Sequence, residues 1–391
     1  MIIVSKKWKL PLCGTQPKWH NLVTDLYYKA DDKKSYGGCE GLAETICSDL
    51  LDKSNIGLHA HYQPVQIQAG LSTFRGCESP NFREEGDRFY TGVDIIDGAN
   101  FDPERLRKEQ PTEQTIREFI QLAKEKTDGY DISTFLCKLL EFDQLVLNTD
   151  RNLGNISLLQ KPDGRYLPIV FDNGRSFMTK ELLQHPDLSM EAISNMAFSL
   201  PFSKTYPLQV CAIEQICGVS SLFRTKYTLE DLDMSLDKCD GIYPKDLIER
   251  VRSLFLYQME QHPEYFLTAE RERLCKEYRD LIQNRCPGFS VKEEVDDSEP
   301  LLCKGSGLKT EGRTSGFPLG DLLFTWKKDR RIQYTLSIPT KRFLSLSEGL
   351  AFPLTPPEQI NGTDREEIQC FLTTIRESMT EEKETEMELE R

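Results

Sequence analysis

Asp150-Arg-Asn-Leu-Gly-Asn155 sets a carboxylate and an amide five residues apart, and Asp172-Asn-Gly174 supplies a second carboxylate soon after. Phosphoryl transfer from ATP calls for such a set. One carboxylate orients the attacking hydroxyl and accepts its proton, an amide oxygen binds one metal ion, and the other carboxylate bridges metal and phosphates. The surrounding pattern predicts the elements that hold these groups. A helix over Ile132 to Leu147, with Leu136, Leu139 and Leu140 on one face, delivers the chain to Asp150. Strands Ile156 to Gln160 and Tyr166 to Phe171 follow, joined through the turn residues Pro162-Asp163-Gly164. A hairpin returns to where it began, so two strands of similar length, rising about 3.3 Å per residue, bring Asp172 back to the end that Asn155 leaves.

Other readings compete for each piece. Asp, Asn and Gly dominate loops for reasons unrelated to catalysis, so either motif alone fits plain turn chemistry. Asp150-Arg-Asn152-Leu-Gly154 also opens like a calcium loop, yet its glycine comes one position early and its twelfth residue is Lys161, where a bidentate glutamate is required. Taken in order, helix, D-x-x-x-x-N, hairpin and D-x-G form the active-site sequence of a protein-kinase-like fold.

Such a site must also hold phosphates. There is no G-x-G-x-x-G, and Gly37-Gly38-x-x-Gly41 precedes a helix as a plain turn would. Gly14-Thr-Gln16-Pro-Lys18 offers a glycine for close backbone approach and a lysine for charge. Lys29, on a strand expected over Leu22 to Lys29, is placed to contact the α and β phosphates. Glu44 lies on the next helix, where Ala43, Ile46, Cys47, Leu50 and Leu51 mark an amphipathic face, and it is placed to pair with Lys29.

These segments resemble the HipA-like family of bacterial serine/threonine kinases, whose kinase-like fold is shared with the phosphatidylinositol 3- and 4-kinases. The likeness lies in Gly14-Thr-Gln-Pro-Lys18, similar to the family's G-x-Q-x-K loop, in Glu44 followed by Leu50-Leu51, in Phe142 to Asn155, and in Val170-Phe-Asp172. It spans roughly residues 10 to 280. It implies Asp150 as the catalytic aspartate, Asn155 and Asp172 as Mg²⁺ ligands, and Lys29 as the ATP-contacting lysine. Protein substrates and an antitoxin-type partner are implied with it. Two positions depart from the family. Asn152 stands where a histidine is common, and Pro11 occupies the place of the serine that the best-known family member autophosphorylates.

The fold expected is therefore α+β. It is two-lobed and protein-kinase-like, with a small β-rich ATP-binding lobe over residues 1–80 and a mainly helical catalytic lobe over 81–290. An acidic linker at 291–300 leads to a small α+β module at 301–391, in which Leu322 to Lys327 and Arg331 to Ile338 suggest a hairpin, a helix follows from about Asp364, and the Glu-rich end is a solvated helix. With 49 Lys plus Arg against 63 Asp plus Glu, the net charge of −14 disfavours a broad nucleic-acid or anionic-membrane surface. No apolar run approaches the roughly 20 residues of a membrane span, and the opening lacks a secretory core, so a cytoplasmic protein is expected. The 12 cysteines contain no C-x-x-C pair and read as free thiols. A kinase of small molecules or lipids, or a non-catalytic nucleotide-binding scaffold, would reuse the same residues.

Overall fold

The computed structural model describes residues 1–5, 8, 16–32, 39–218 and 221–267, together with the backbone of strands at 289–292, 321–328, 331–339 and 352–353. It is an α+β protein. Two compact units are present, one formed by Met1–Ile216 with Tyr227–Gln261 and the other by Cys217–Lys226 with His262–Arg391.

The first unit opens with β1 (Ile2–Ile3), β2 (Lys18–Asn21) and β3 (Leu26–Ala30), then α1 (Glu40–Asp52), β4 (Gln63–Ala69) and β5 (Ser72–Pro80). The strands form one sheet in the order β1-β4-β5-β3-β2, with β1 parallel to β4 and the other pairs antiparallel. The single strand expected over Leu22 to Lys29 is in fact a turn followed by β3. Val23 N–H donates to Asn21 Oδ1 at 3.1 Å, and Asp25 takes a φ of 53°, the local hydrogen bonding and left-handed backbone that Asn and Asp support. Leu22 and Val23, which made the stretch look strand-like, sit exposed on the turn.

Helix α1 is buried on nearly every side because it packs on β4 and β5 and also on α9, introduced below. Its approach to the sheet depends on two glycines. A Cβ on Gly41 would lie 2.6 Å from the carbonyl carbon of Gly76, and a Cβ on Gly76 would strike the Lys29 carbonyl oxygen. Gly41 is thus a helix residue in a tight contact, where its sequence neighbourhood reads as a turn.

The unit continues with β6 (Arg88–Thr91), α2 (Gly92–Ile96), α3 (Pro103–Glu109), α4 (Thr112–Lys126) and α5 (Ser133–Val146). Then come β7 (Ser157–Gln160), β8 (Tyr166–Ile169), α6 (Thr179–Gln184), α7 (Met190–Asn195), α8 (Tyr206–Cys217), α9 (Leu229–Cys239) and α10 (Lys245–Gln261). The hairpin β7–β8 has the expected antiparallel register, Ser157 opposite Ile169 and Gln160 opposite Tyr166, and β6 adds a third strand. Among the described residues no helix is long and apolar enough to cross a membrane. The described cysteines are free thiols, five of seven of them buried.

In the second unit β9 (Phe289–Lys292), β10 (Asp321–Lys328), β11 (Arg331–Pro339) and β12 (Phe352–Pro353) make an antiparallel sheet in the order β12-β11-β10-β9. The β10–β11 pair is the hairpin expected around Lys328-Asp329-Arg330. The helices expected from about Asp364 and at the Glu-rich end, like most of the acidic stretch, lie outside the described residues.

Candidate active site

Lys29 is the centre of the site. In β3 it stands directly opposite Lys18 of β2, and its Nζ lies 2.7 Å from Glu44 Oε1 and in closer contact with Asp172 Oδ1. Glu44 is fully buried on α1, and its second oxygen accepts the Asn173 backbone N–H at 2.8 Å. One carboxylate thus ties sheet, helix and the end of the β7–β8 hairpin together. Burial alone would neutralise Lys29, yet Asp172 and Glu44 beside it hold its pKa well above the usual lysine value. Burial pushes Glu44 up, with Lys29 opposing. Burial also acts to raise Asp172, but Lys29, then Lys18 and Arg151, outweigh it and keep that carboxyl below the usual range.

The loop between α5 and β7 is organised by a residue to which the sequence reading gives no role. Arg151 is wholly buried, and each of its five N–H donors has a partner. Nε and Nη2 clamp the two oxygens of Asp143 at 2.9 and 3.0 Å, and Nη2 also reaches Asn173 Oδ1 at 2.6 Å. Nη1 bonds the carbonyls of Asn155 at 3.0 Å and Phe171 at 2.9 Å. The backbone just before Asp172 and the backbone at Asn155 therefore meet on one guanidinium. Asp143 holds Asn148 as well, through its backbone carbonyl and Oδ1, each at 3.0 Å, which fixes the chain as it leaves α5 through the left-handed Leu147. The available signal was an aspartate flanked by Phe142 and Leu145 on a buried helix face, since a charge buried there requires a partner.

Asp150 is partly exposed on this loop. Its backbone N–H donates to Asn148 Oδ1 at 3.0 Å, and its Oδ1 accepts from Asn152 Nδ2 at 3.0 Å. Asn152 Oδ1 in turn accepts Gly154 N–H at 2.8 Å, so asparagine serves the loop where the resembling family often has histidine. Asn155 turns its Nδ2 onto the Asp150 carbonyl at 2.8 Å, which directs the other end of the amide, an oxygen acceptor, away from that bond. Asp172 has a φ of 57°, a conformation uncommon outside glycine and concentrated at functional sites. Behind it Gly174 admits α1, since a Cβ there would lie 2.9 Å from that of Glu40.

Of the residues singled out in the sequence, the structure gathers Lys18, Lys29, Glu44 and Asp172 in one cluster and joins Asp150 to Asn155. Arg151 links the two sets. Gln16 precedes β2, and its Nε2 is buried without a hydrogen-bond partner. Gly14 lies outside the described residues. The groups present suit a nucleotide with a hard divalent cation. Asp172 and Asn155 offer oxygen ligands of the type Mg²⁺ prefers. Lys18 and Lys29 stand directly opposite each other across β2 and β3, a concentration of positive charge that suits phosphates.

No family model matches the chain, and no curated protein matches it. Among solved structures the chain is similar to the Helicobacter pylori proinflammatory kinase CtkA, at 11% identity and a TM-score of 0.40, over 66% of this chain and 91% of that one. It is also similar to HipA of Shewanella oneidensis MR-1, from a toxin–antitoxin complex with HipB and operator DNA, at 12% identity and a TM-score of 0.31, over 70% of this chain and 64% of that one. Superposition of that degree decides nothing about chemistry, which has to come from the side chains of this chain.

Proposed function

We propose that the protein is an ATP- and Mg²⁺-dependent phosphotransferase acting on the hydroxyl of a protein serine or threonine. The observation that carries the reading is Lys29 held between Glu44 of α1 and Asp172 at the end of the hairpin. A lysine fixed by a helix-borne glutamate, beside a carboxylate that follows a strand, is what phosphate positioning requires. Lys29, with Lys18 opposite it and with Gln16 and Gly14 in the segment that leads into Lys18, would bind the phosphates. Asp172 and Asn155 would hold Mg²⁺, which when bound neutralises charge on the transferring phosphoryl group. Asp150 orients the substrate hydroxyl with Oδ2, the oxygen outside its bond to Asn152, and takes the proton as the new O–P bond forms and the bond from the γ-phosphorus to the β,γ-bridging oxygen breaks, with ADP as the leaving group.

A serine or threonine of a protein is the acceptor that the sequence resemblance favours, and an antitoxin-type partner and a cytoplasmic setting belong to the same proposal. The test is transfer from γ-labelled ATP to candidate proteins and to the chain itself, read by intact mass. Asp150→Asn should retain nucleotide binding and lose transfer by at least about 100-fold, the scale of a positioned general base. Transfer at the wild-type rate would remove Asp150 from the chemistry. Binding of MgATP without transfer to any acceptor would favour the non-catalytic scaffold.

A further inference from the structure

Asp52, His59 and His61 lie outside the proposed phosphotransfer site, at the C-terminal end of α1 and in the segment leading to β4. Asp52 Oδ1 is 3.1 Å from His59 Nε2 and 3.1 Å from His61 Nδ1, and the three ligand atoms all fall within 4.8 Å of one another. The imidazoles lie with centroids 4.5 Å apart, tilted by 50°. Four ligands around Zn²⁺ at about 2.0–2.1 Å are separated by about 3.3 Å, so the two Asp52–imidazole spacings match those of a tetrahedral shell, with the two imidazole nitrogens no more than 4.8 Å apart.

The tautomer of His59 strengthens the case. Its Nδ1 faces the Gly57 carbonyl at 3.1 Å, and a carbonyl can only accept, so Nδ1 carries the proton. Nε2 faces Asp52 Oδ1, and either a proton on Nε2 or a metal ion in its place bridges the two atoms. A ring nitrogen bound to a backbone carbonyl is also the outer-shell arrangement that orients a metal-binding histidine. Asp52 stands in the last turn of α1, at the negative end of the helix, where a carboxylate is unfavourable and a cation is favoured. His59 is buried, whereas the side chains of Asp52 and His61 are 45% and 57% exposed, which leaves a solvent side for a fourth ligand.

We infer that Asp52, His59 and His61 form a binding site for a divalent transition-metal ion, with Zn²⁺ as the natural probe for two imidazoles and a carboxylate. A bound ion would staple the end of α1 to the segment of His59. That segment pairs with the run to Asp172: Ala60 N–H donates to the Val170 carbonyl at 2.9 Å, and Val170 N–H to the Leu58 carbonyl at 3.0 Å.

The experiment uses the full-length chain stripped of metal and titrated with Zn²⁺ by calorimetry, then with Co²⁺ by visible absorption. His61→Ala and Asp52→Ala are the variants. Wild type should take up one ion with a rise in Tm and should show Co²⁺ d–d bands without thiolate charge transfer. Loss of one ligand should weaken Zn²⁺ binding by at least tenfold, because loss of an outer-shell partner alone costs about 10–100-fold. Both variants should retain the circular dichroism of wild type. No uptake by wild type, equal uptake by wild type and both variants, or a Co²⁺ spectrum of thiolate type would overturn the inference and leave three hydrogen-bonded side chains.

Discussion

A guanidinium with all five donors engaged cannot be replaced by another cation. Arg151→Lys keeps a charge but supplies three donors from a single point, so at least the Asn155 or Phe171 carbonyl loses its partner. Arg151→Met goes further and leaves Asp143 charged and buried, a change that typically costs about 3–5 kcal/mol. The expected outcome for Arg151→Met is a fall in denaturant midpoint of that order. For Arg151→Lys it is a smaller fall in stability with a larger loss of phosphoryl transfer, because the backbone at Asn155 and the backbone entering Asp172 are no longer held together. Unchanged transfer in a folded Arg151→Lys would show that the guanidinium only stabilises. The groups proposed to touch ligand were legible because Asp, Asn and Lys recur at informative spacings. Arg151 and Asp143 were not, because a positioning residue is defined by what surrounds it in three dimensions, and neither residue type nor spacing records that.

Helix α1 and the strands under it carry two further expectations. Asp31 Oδ2 and Glu40 Oε1 are buried without hydrogen-bond partners, and Glu40 is pushed up to about 7, first by burial and then by Asp31. The fold therefore favours protonated Glu40. Its contribution to stability is full below the ordinary glutamate range and is lost as the pH rises through about 7. Glu40→Gln should flatten the decline of Tm between pH 5 and 8 and should melt above wild type at pH 8. A parallel decline in both proteins would assign the effect elsewhere. Gly76→Ala should destabilise by about 3 kcal/mol, the upper end of overpacking costs, because the obstacle is backbone. Elements themselves were read well wherever the pattern was strong, as in α1, α5, β7 and β8. Reading failed between Asn21 and Asp25, where two exposed apolar side chains imitate a strand and one Asx turn decides the backbone.

At the scale of the molecule, every candidate ligand-binding residue that the structure describes belongs to the first unit. The strand β9 pairs with β10 across the acidic stretch, so a cut after Glu299 would part these two strands. A cut after Leu267 leaves that sheet out entirely and keeps the Leu267 N–H to Thr225 carbonyl bond at 2.9 Å. Residues 1–267 should fold and show an MgATP-dependent rise in Tm. A soluble fragment without that rise would mean that the remaining residues complete the nucleotide site. The β10–β11 hairpin was evident from its alternating pattern and polar turn. Strand β9 was not, because four residues in polar surroundings take their strand character from a partner far along the chain.

Gly41 against Gly76 has a kinetic corollary. Where the helix meets the Gly76 backbone directly, with the Tyr243 hydroxyl wedged at the same point, it has no compliant layer through which to creep, so α1 cannot shift by small degrees while Glu44 keeps both Lys29 and Asn173. Any departure of Glu44 should occur as a single hop between two seats. Relaxation dispersion on the amides of residues 40–52 would then show one shared exchange rate on the microsecond-to-millisecond scale of element motions, whereas a spread of unrelated rates would describe a helix that merely wobbles.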